Sequence, residues 1–232
     1  IAAKLILNGT IKLSGLHVPV TKEIYEPVLK EFDLKVNAGE TIAIVGATGA
    51  GKSTIINLLS RFYEINSGSI TIDNIDIKDI KLSALRSQIA VVLQDVFLFS
   101  DTIFNNITLN NPDISKQQVI EAAKKIGIHD FIESLPEGYQ YNVKERGIML
   151  SSGQRQLIAF LRAYVTNPSI LVLDEATSSV DSYSEELIQK ATETITQGRT
   201  SIIIAHRLAT IINATKIIVL DQGKVAEMGS HS

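Results

Sequence analysis

Residues 41–54 read Thr-Ile-Ala-Ile-Val-Gly-Ala-Thr-Gly-Ala-Gly-Lys-Ser-Thr. A short run rich in β-branched residues is followed by glycines at 46, 49 and 51, then by a stretch with helical periodicity over 52–63. This pattern predicts a buried strand, a tight loop and a helix. Gly46-x4-Gly51-Lys52-Ser53 fits the phosphate-loop pattern G-x-x-x-x-G-K-[ST], for which the physical need is plain. Glycines let the backbone wrap with its N–H groups turned inward on phosphate oxygens, and the helix start adds positive potential. The binding set is Gly46, Thr48, Gly49, Ala50, Gly51, Lys52, Ser53 and Thr54. Lys52 reaches the β- and γ-phosphates, and the Ser53 hydroxyl ligates Mg²⁺. Chance produces such a match in about one chain in a hundred of this length.

The rest of the chain suits one large α/β domain. It has 232 residues, 45% of them hydrophobic, which is enough for a sizeable core. A formal net charge of −3 argues against a broad nucleic-acid surface, so no nucleic-acid partner is expected. With no cysteine, disulfides, thiolate zinc sites and a cysteine nucleophile are excluded. No apolar run approaches the roughly 18–20 residues of a membrane span. The chain begins at Ile1 without a methionine and reads as a piece of something longer.

Consecutive apolar runs at 41–45, 89–93, 169–173, 200–205 and 216–220 predict strands covered on both faces. "KEFDLKV" and "GSITIDNIDI" alternate instead and predict antiparallel strands with one wetter face. Helices are expected over 52–63 and near 115–134, 153–166 and 183–196. Residues 100–166 hold few strand signals and read as a helical insertion. The expected fold is α/β, with a mainly parallel core sheet, an N-terminal antiparallel β-subdomain and an inserted helical subdomain.

A phosphate loop calls for an acidic metal site. "SILVLDEATSSVD" supplies Asp174 at the end of a hydrophobic strand, with Glu175 next to it, able to polarise a water for attack on the γ-phosphate. The bland alternative is two acids ending a strand in solvent. "LSSGQRQ" at 150–156 reads as a helix start in which Ser151 or Ser152 caps free N–H groups. It resembles the signature motif of ATP-binding-cassette (ABC) ATPases, usually Leu-Ser-Gly-Gly-Gln, and Gly153 lies 21 residues before Asp174. Gln94 in "VVLQD" resembles the Q-loop glutamine, "SSVD" ending at Asp181 the D-loop, and His206 in "IIIAHRL" the switch histidine. "KERGIMLSSGQRQ", with Glu145 and Arg146, and "VFLFSDTIFNNI" resemble exporter members. His17, His129 and His231 have no such context and read as surface or core residues.

The resemblance runs from about residue 27 to the end and implies one nucleotide-binding domain over 1–232, its helical subdomain near 100–166, with the membrane domain outside this chain. It implies ATP and Mg²⁺ as ligands, the metal on Ser53, Gln94 and Asp174. It makes Glu175 the base or water-positioner, with Lys52, Gln94 and His206 completing the catalytic set. It also implies a second cassette, identical or not, joined head to tail, so that Ser151, Ser152, Gly153 and Gln154 meet the partner's ATP and Asp181 lies at the junction. A transmembrane domain would hold the pair on the cytoplasmic face of a membrane. Three positions depart from the family pattern. Ser152 replaces the first signature glycine, Tyr25 is the nearest aromatic to the adenine-stacking place, and Asn105 stands where many exporters carry a glutamate. A repair or translation factor of the same family, a binding module without turnover and a phosphate-loop kinase are the competing readings. The first lacks its long insertions, the second its missing catalytic residues, and the third leaves the signature unexplained.

Overall fold

A computed structural model describes residues 32–175 and 182–231. In chain order the elements are β1 (Thr41–Val45), α1 (Lys52–Leu59), β2 (Thr71–Ile72), β3 (Ile75–Asp76), α2 (Leu82–Gln88) and β4 (Ile89–Val92). A helical stretch follows, with α3 (Ile103–Thr108), α4 (Lys116–Ile126), α5 (His129–Glu133) and α6 (Ser152–Val165), and with 3₁₀ turns at Gly138–Gln140 and Glu145–Gly147. The chain ends with β5 (Ile170–Asp174), α7 (Ser182–Thr196), β6 (Thr200–Ile204), α8 (Leu208–Asn213), β7 (Lys216–Asp221) and β8 (Lys224–Gly229). It divides into two compact units, Ile1–Ile89 with Ile202–Ser232, and Ala90–Ser201.

In the first unit the strand order is β6-β1-β7-β8, with the last three residues of β6 inside it. β1 and β7 pair in parallel, from Ile42↔Lys216 to Val45↔Val219, and β7 and β8 pair antiparallel. Buried Ile42, Ile44, Ile55, Ile202, Ile218 and Leu220 form its core. The continuous apolar strand pattern follows from this double-sided burial. The β2–β3 pair is a hairpin whose two turn residues, Asp73 and Asn74, both take positive φ, as a two-residue turn demands. "KEFDLKV" differs from expectation. Phe32, Leu34 and Val36 pack on the core and alternate with exposed neighbours, yet residues 32–37 form no strand. The period reported which side faces inward. Whether a ladder forms depends on a partner strand, which the period does not specify.

In the second unit β4 lies beside β5, and α3, α4 and α7 pack against α6, whose Leu157, Ile158, Phe160 and Leu161 are buried. The helical run expected near 115–134 is two helices. Gly127, at φ +86, ends α4 in a left-handed cap, and α5 starts two residues later. His129 is structural, as expected of a histidine without context: its Nδ1 lies 3.0 Å from the Tyr139 hydroxyl. The polar anchor of this unit is Asn106, 1% exposed. Its side chain accepts from Phe99 N at 2.8 Å and donates to the Phe99 and Thr102 carbonyls at 3.0 Å each. Arg162 on α6 donates through Nε to the Asn106 carbonyl at 2.8 Å, and burial holds its guanidinium below its usual value.

Two measurements follow. Replacing Asn106 by alanine removes three hydrogen bonds and strips Phe99 N of its partner, while the Phe99 and Thr102 carbonyls keep the backbone N–H groups of residues 101 and 106. It is expected to cost about 1–3 kcal/mol, read by urea unfolding. Burial, aided by the Glu133 carboxylate, pushes the Tyr139 phenol up to about 12 from 10.0. A raised pKa favours the neutral form in the folded chain. Its stabilisation is therefore whole below pH 10 and lost as pH rises toward 12. A pH series of unfolding curves above pH 10 should show that decline, and Tyr139→Phe should flatten it.

Candidate functional site

The glycine loop lies between β1 and α1, and its shape depends on its neighbours. A Cβ on Gly46 would overlap the carbonyl oxygen of Leu220 at the end of β7, so only glycine seats there. Gly49 and Gly51 take φ of +80 and +108, open to glycine at no steric cost. Ala50 N donates to Ala47 O at 3.0 Å, and Gly223 N, from the β7–β8 turn, donates to Ala50 O at 3.0 Å. Sequence reasoning missed Leu220 and Gly223 as supports of this loop. The visible trace was a turn, "DQG", directly after an apolar strand.

Lys52 Nζ donates to the carbonyls of Gly46 at 2.7 Å and Ala47 at 3.0 Å, which holds the ammonium against the loop. Ala47, Thr48, Gly49 and Ser53 are exposed, whereas Ala50 and Gly51 are buried and Lys52 and Thr54 half-buried. The α1 N-cap is Gly51, with no side-chain cap and no acidic residue in the first turn. No acidic side chain in its own first turn offsets the positive end of the helix, which suits an anion. His206 comes to the same edge. Ala205 N donates to Ile44 O at 3.0 Å, so β1 and β6 end side by side, and exposed His206 follows β6 as Gly46 follows β1.

The second unit carries the acidic pair. Leu171, Val172 and Leu173 are buried, Asp174 ends β5 half-buried, and Glu175 is 6% exposed. An acid that merely ended a strand in solvent would not be buried, because taking a carboxylate out of water is costly. Gln94 stands exposed two residues beyond β4. At the start of α6 the cap is Ser151, not Ser152. Its Oγ accepts from Gln154 N at 3.2 Å, while Gln154 Oε1 accepts from Ser151 N at 2.9 Å. This capping box uses an Oγ lone pair and leaves the hydroxyl proton for an outside acceptor. Ser152 is exposed and Gly153 buried. Asn105 donates through Nδ2 to the Asp101 carboxylate at 2.9 Å, so it is tied within its own helical unit. Tyr25 and Asp181 lie outside the described residues.

A phosphate loop on a parallel sheet, followed by an acidic strand end, defines a nucleoside-triphosphate-binding domain. The family model described as ABC transporter matches residues 29–178. A putative multidrug export ATP-binding/permease protein of Bacillus subtilis (strain 168) is 48% identical over 225 residues, which is 97% of this chain and 39% of the relative. One of the same description from Staphylococcus aureus (strain NCTC 8325 / PS 47) is 49% identical over 205 residues, 88% of this chain and 36% of its own length. The solved structure of a bacterial Atm1-family ABC exporter with ATP bound superposes with a TM-score of 0.81 at 46% identity, covering 88% of this chain and 36% of that one. The chain belongs to the ABC transporter family and corresponds to its ATP-binding domain. It spans less than two-fifths of the length of each of these relatives.

Gly46→Ala is expected to weaken ATP binding at least about tenfold and to cost about 1–3 kcal/mol, because a backbone carbonyl must move to admit the methyl group. Gly39→Ala is the control. Gly39 also has positive φ, +80, but nothing lies within 4 Å of its added Cβ, so ATP binding should be unchanged. Titration with a fluorescent nucleotide distinguishes the two.

Proposed function

We propose that this chain turns over ATP with Mg²⁺ as one half of a pair of cassettes, and that the pair drives export through a membrane domain on whose cytoplasmic side it sits. The observation that carries this reading is the start of α6. Ser151 is exposed, is fixed by its capping box and keeps a hydroxyl proton to donate. That equips it for the γ-phosphate of an ATP held by another cassette's phosphate loop.

In this reading the loop amides and Lys52 bind the triphosphate. A water attacks the γ-phosphorus, the bond to the bridging oxygen breaks, and Glu175 takes the water's proton. His206 donates to the γ-phosphate and Tyr25 stacks on adenine. Ser53, Gln94 and Asp174 would hold Mg²⁺, to which each offers an oxygen donor. When bound, the ion would supply neutralisation of the triphosphate's charge. Asp181 completes the junction between cassettes.

For the membrane domain, the second unit offers an apolar surface. Leu93, Phe97 and Phe99 are each 52–53% exposed, and Ile148 and Met149 are 76% and 57% exposed. Leu98, between the two phenylalanines, packs where a Cβ on Gly147 would be, so the two segments adjoin. Among the described residues no helix is long and apolar enough to cross a membrane.

The test is Mg²⁺-dependent ATP hydrolysis as a function of protein concentration. A site completed by a second molecule gives turnover that rises faster than linearly. Glu175→Gln should lower it at least about a hundredfold and leave an ATP-bound dimer visible by light scattering. Strictly linear turnover, or an active Glu175→Gln, would overturn the proposal.

A further inference from the structure

Arg155 follows the signature residues directly, yet its side chain turns back past them. Its Nη1 donates to the Leu150 carbonyl at 2.6 Å, while its backbone N donates to Ser151 O at 3.0 Å. Both peptide groups that flank Ser151 therefore end on the same residue. The side chain has little room to do otherwise. Gly147, at φ +69, presses on it: a Cβ there would lie 3.1 Å from Arg155 Cδ and 2.8 Å from Leu98 Cδ1. Leu98 and Leu150 are buried, at 0% and 4% exposure. The turn is closed by Leu150 N donating to Gly147 O at 2.9 Å.

We infer that Arg155 is a positioning residue for the composite ATPase site: it fixes the peptide before Ser151 and thereby aims the Ser151 hydroxyl at the partner cassette's γ-phosphate. The capping box sets the rotamer of Ser151 relative to α6. It does not set the approach of the chain into the helix, because the Leu150 carbonyl lies outside the box. Arg155 supplies that constraint, with a charge-assisted bond from a guanidinium whose alkyl stem packs on Gly147. The inference rests on the composite-site reading, and its test separates the two.

The experiment is a double-mutant cycle on the 232-residue chain with Arg155→Met, Ser151→Ala and both together, reading ATP turnover against ATP and protein concentration. Arg155→Met keeps the stem that packs on Gly147 and removes the donor. It is expected to lower kcat about tenfold, short of the roughly hundredfold cost of a fully misplaced group. The KM for ATP should stay nearly constant, because the chain's own phosphate loop sets it. The double variant should be no slower than Ser151→Ala alone, and Arg155→Lys, which keeps a donor, should recover part of the rate. Circular dichroism and melting curves show whether each variant folds, and if Arg155→Met does not, the cycle is run with Arg155→Lys. Losses that multiply in the double variant, or wild-type turnover in Arg155→Met, would overturn the inference while leaving the composite site standing. Wild-type turnover in Ser151→Ala would remove the composite site itself, and the role of Arg155 with it.

Discussion

The parallel pairing of β1 with β7 is the constraint on which the phosphate loop depends. Its register sets Val45 opposite Val219, so the next residues, Gly46 and Leu220, meet as the chain leaves the sheet. The carbonyl of Leu220 then takes the space of a side chain at 46, and the loop can begin only with glycine. The β7–β8 turn continues the support, since Gly223 N holds the carbonyl of Ala50. The glycine loop is thus shaped by the backbone of a strand about 170 residues further on. Hydrogen bonds from peptide groups give such a loop a stiffness that flexible side chains would not.

The helical unit solves a different problem. Its polar anchor, Asn106 with Arg162, secures the Phe97–Thr102 stretch to α6 by buried hydrogen bonds. That stretch carries two exposed phenylalanines, in edge-to-face contact at 5.2 Å between ring centroids. An exposed apolar surface held on buried polar bonds stays in place without a covering core, as a docking surface must. The same helix, α6, starts at Ser151. The helix that Ser151 caps thus also carries Arg162, the cation of this anchor.

Much of this was legible in the sequence, because strong local patterns carry it. The continuous apolar strands, the glycine loop and the serine cap are properties of a few neighbouring residues, and each appears where its pattern places it. The illegible parts are those set by distant residues. Leu220 above Gly46, Arg155 folded back on Leu150 and Asn106 beneath Phe99 are contacts that no period announces. Phe32–Val36 shows the boundary between the two kinds. Alternation is local and correct, whereas strand pairing requires a neighbour. The split at Gly127 was available in principle, since a glycine inside a helical pattern is a candidate cap. The apolar period runs through it because α4 and α5 both bury faces in one unit.

A capping box alone does not mark a functional helix. α4 has the same device as α6: Ser115 Oγ accepts from Gln118 N at 3.2 Å and Ser115 N donates to Gln118 Oε1 at 2.7 Å. What differs is the next two residues, Lys116 and Gln117 in α4 against Ser152 and Gly153 in α6. In α4 both are long exposed side chains, and the Gln117 amide donates to Glu121 one turn further on, at 2.9 Å. In α6 Ser151 and Ser152 are both exposed and the next residue is a glycine without a side chain, so the hydroxyls stand open to an outside acceptor. This also accounts for Ser152 in place of a glycine. The residue sits inside the helix at its first position, where a Cβ is sterically allowed, so the substitution adds one small polar group without backbone strain. The glycine that is retained, Gly153, is the buried one, on the turn that Ser151 caps.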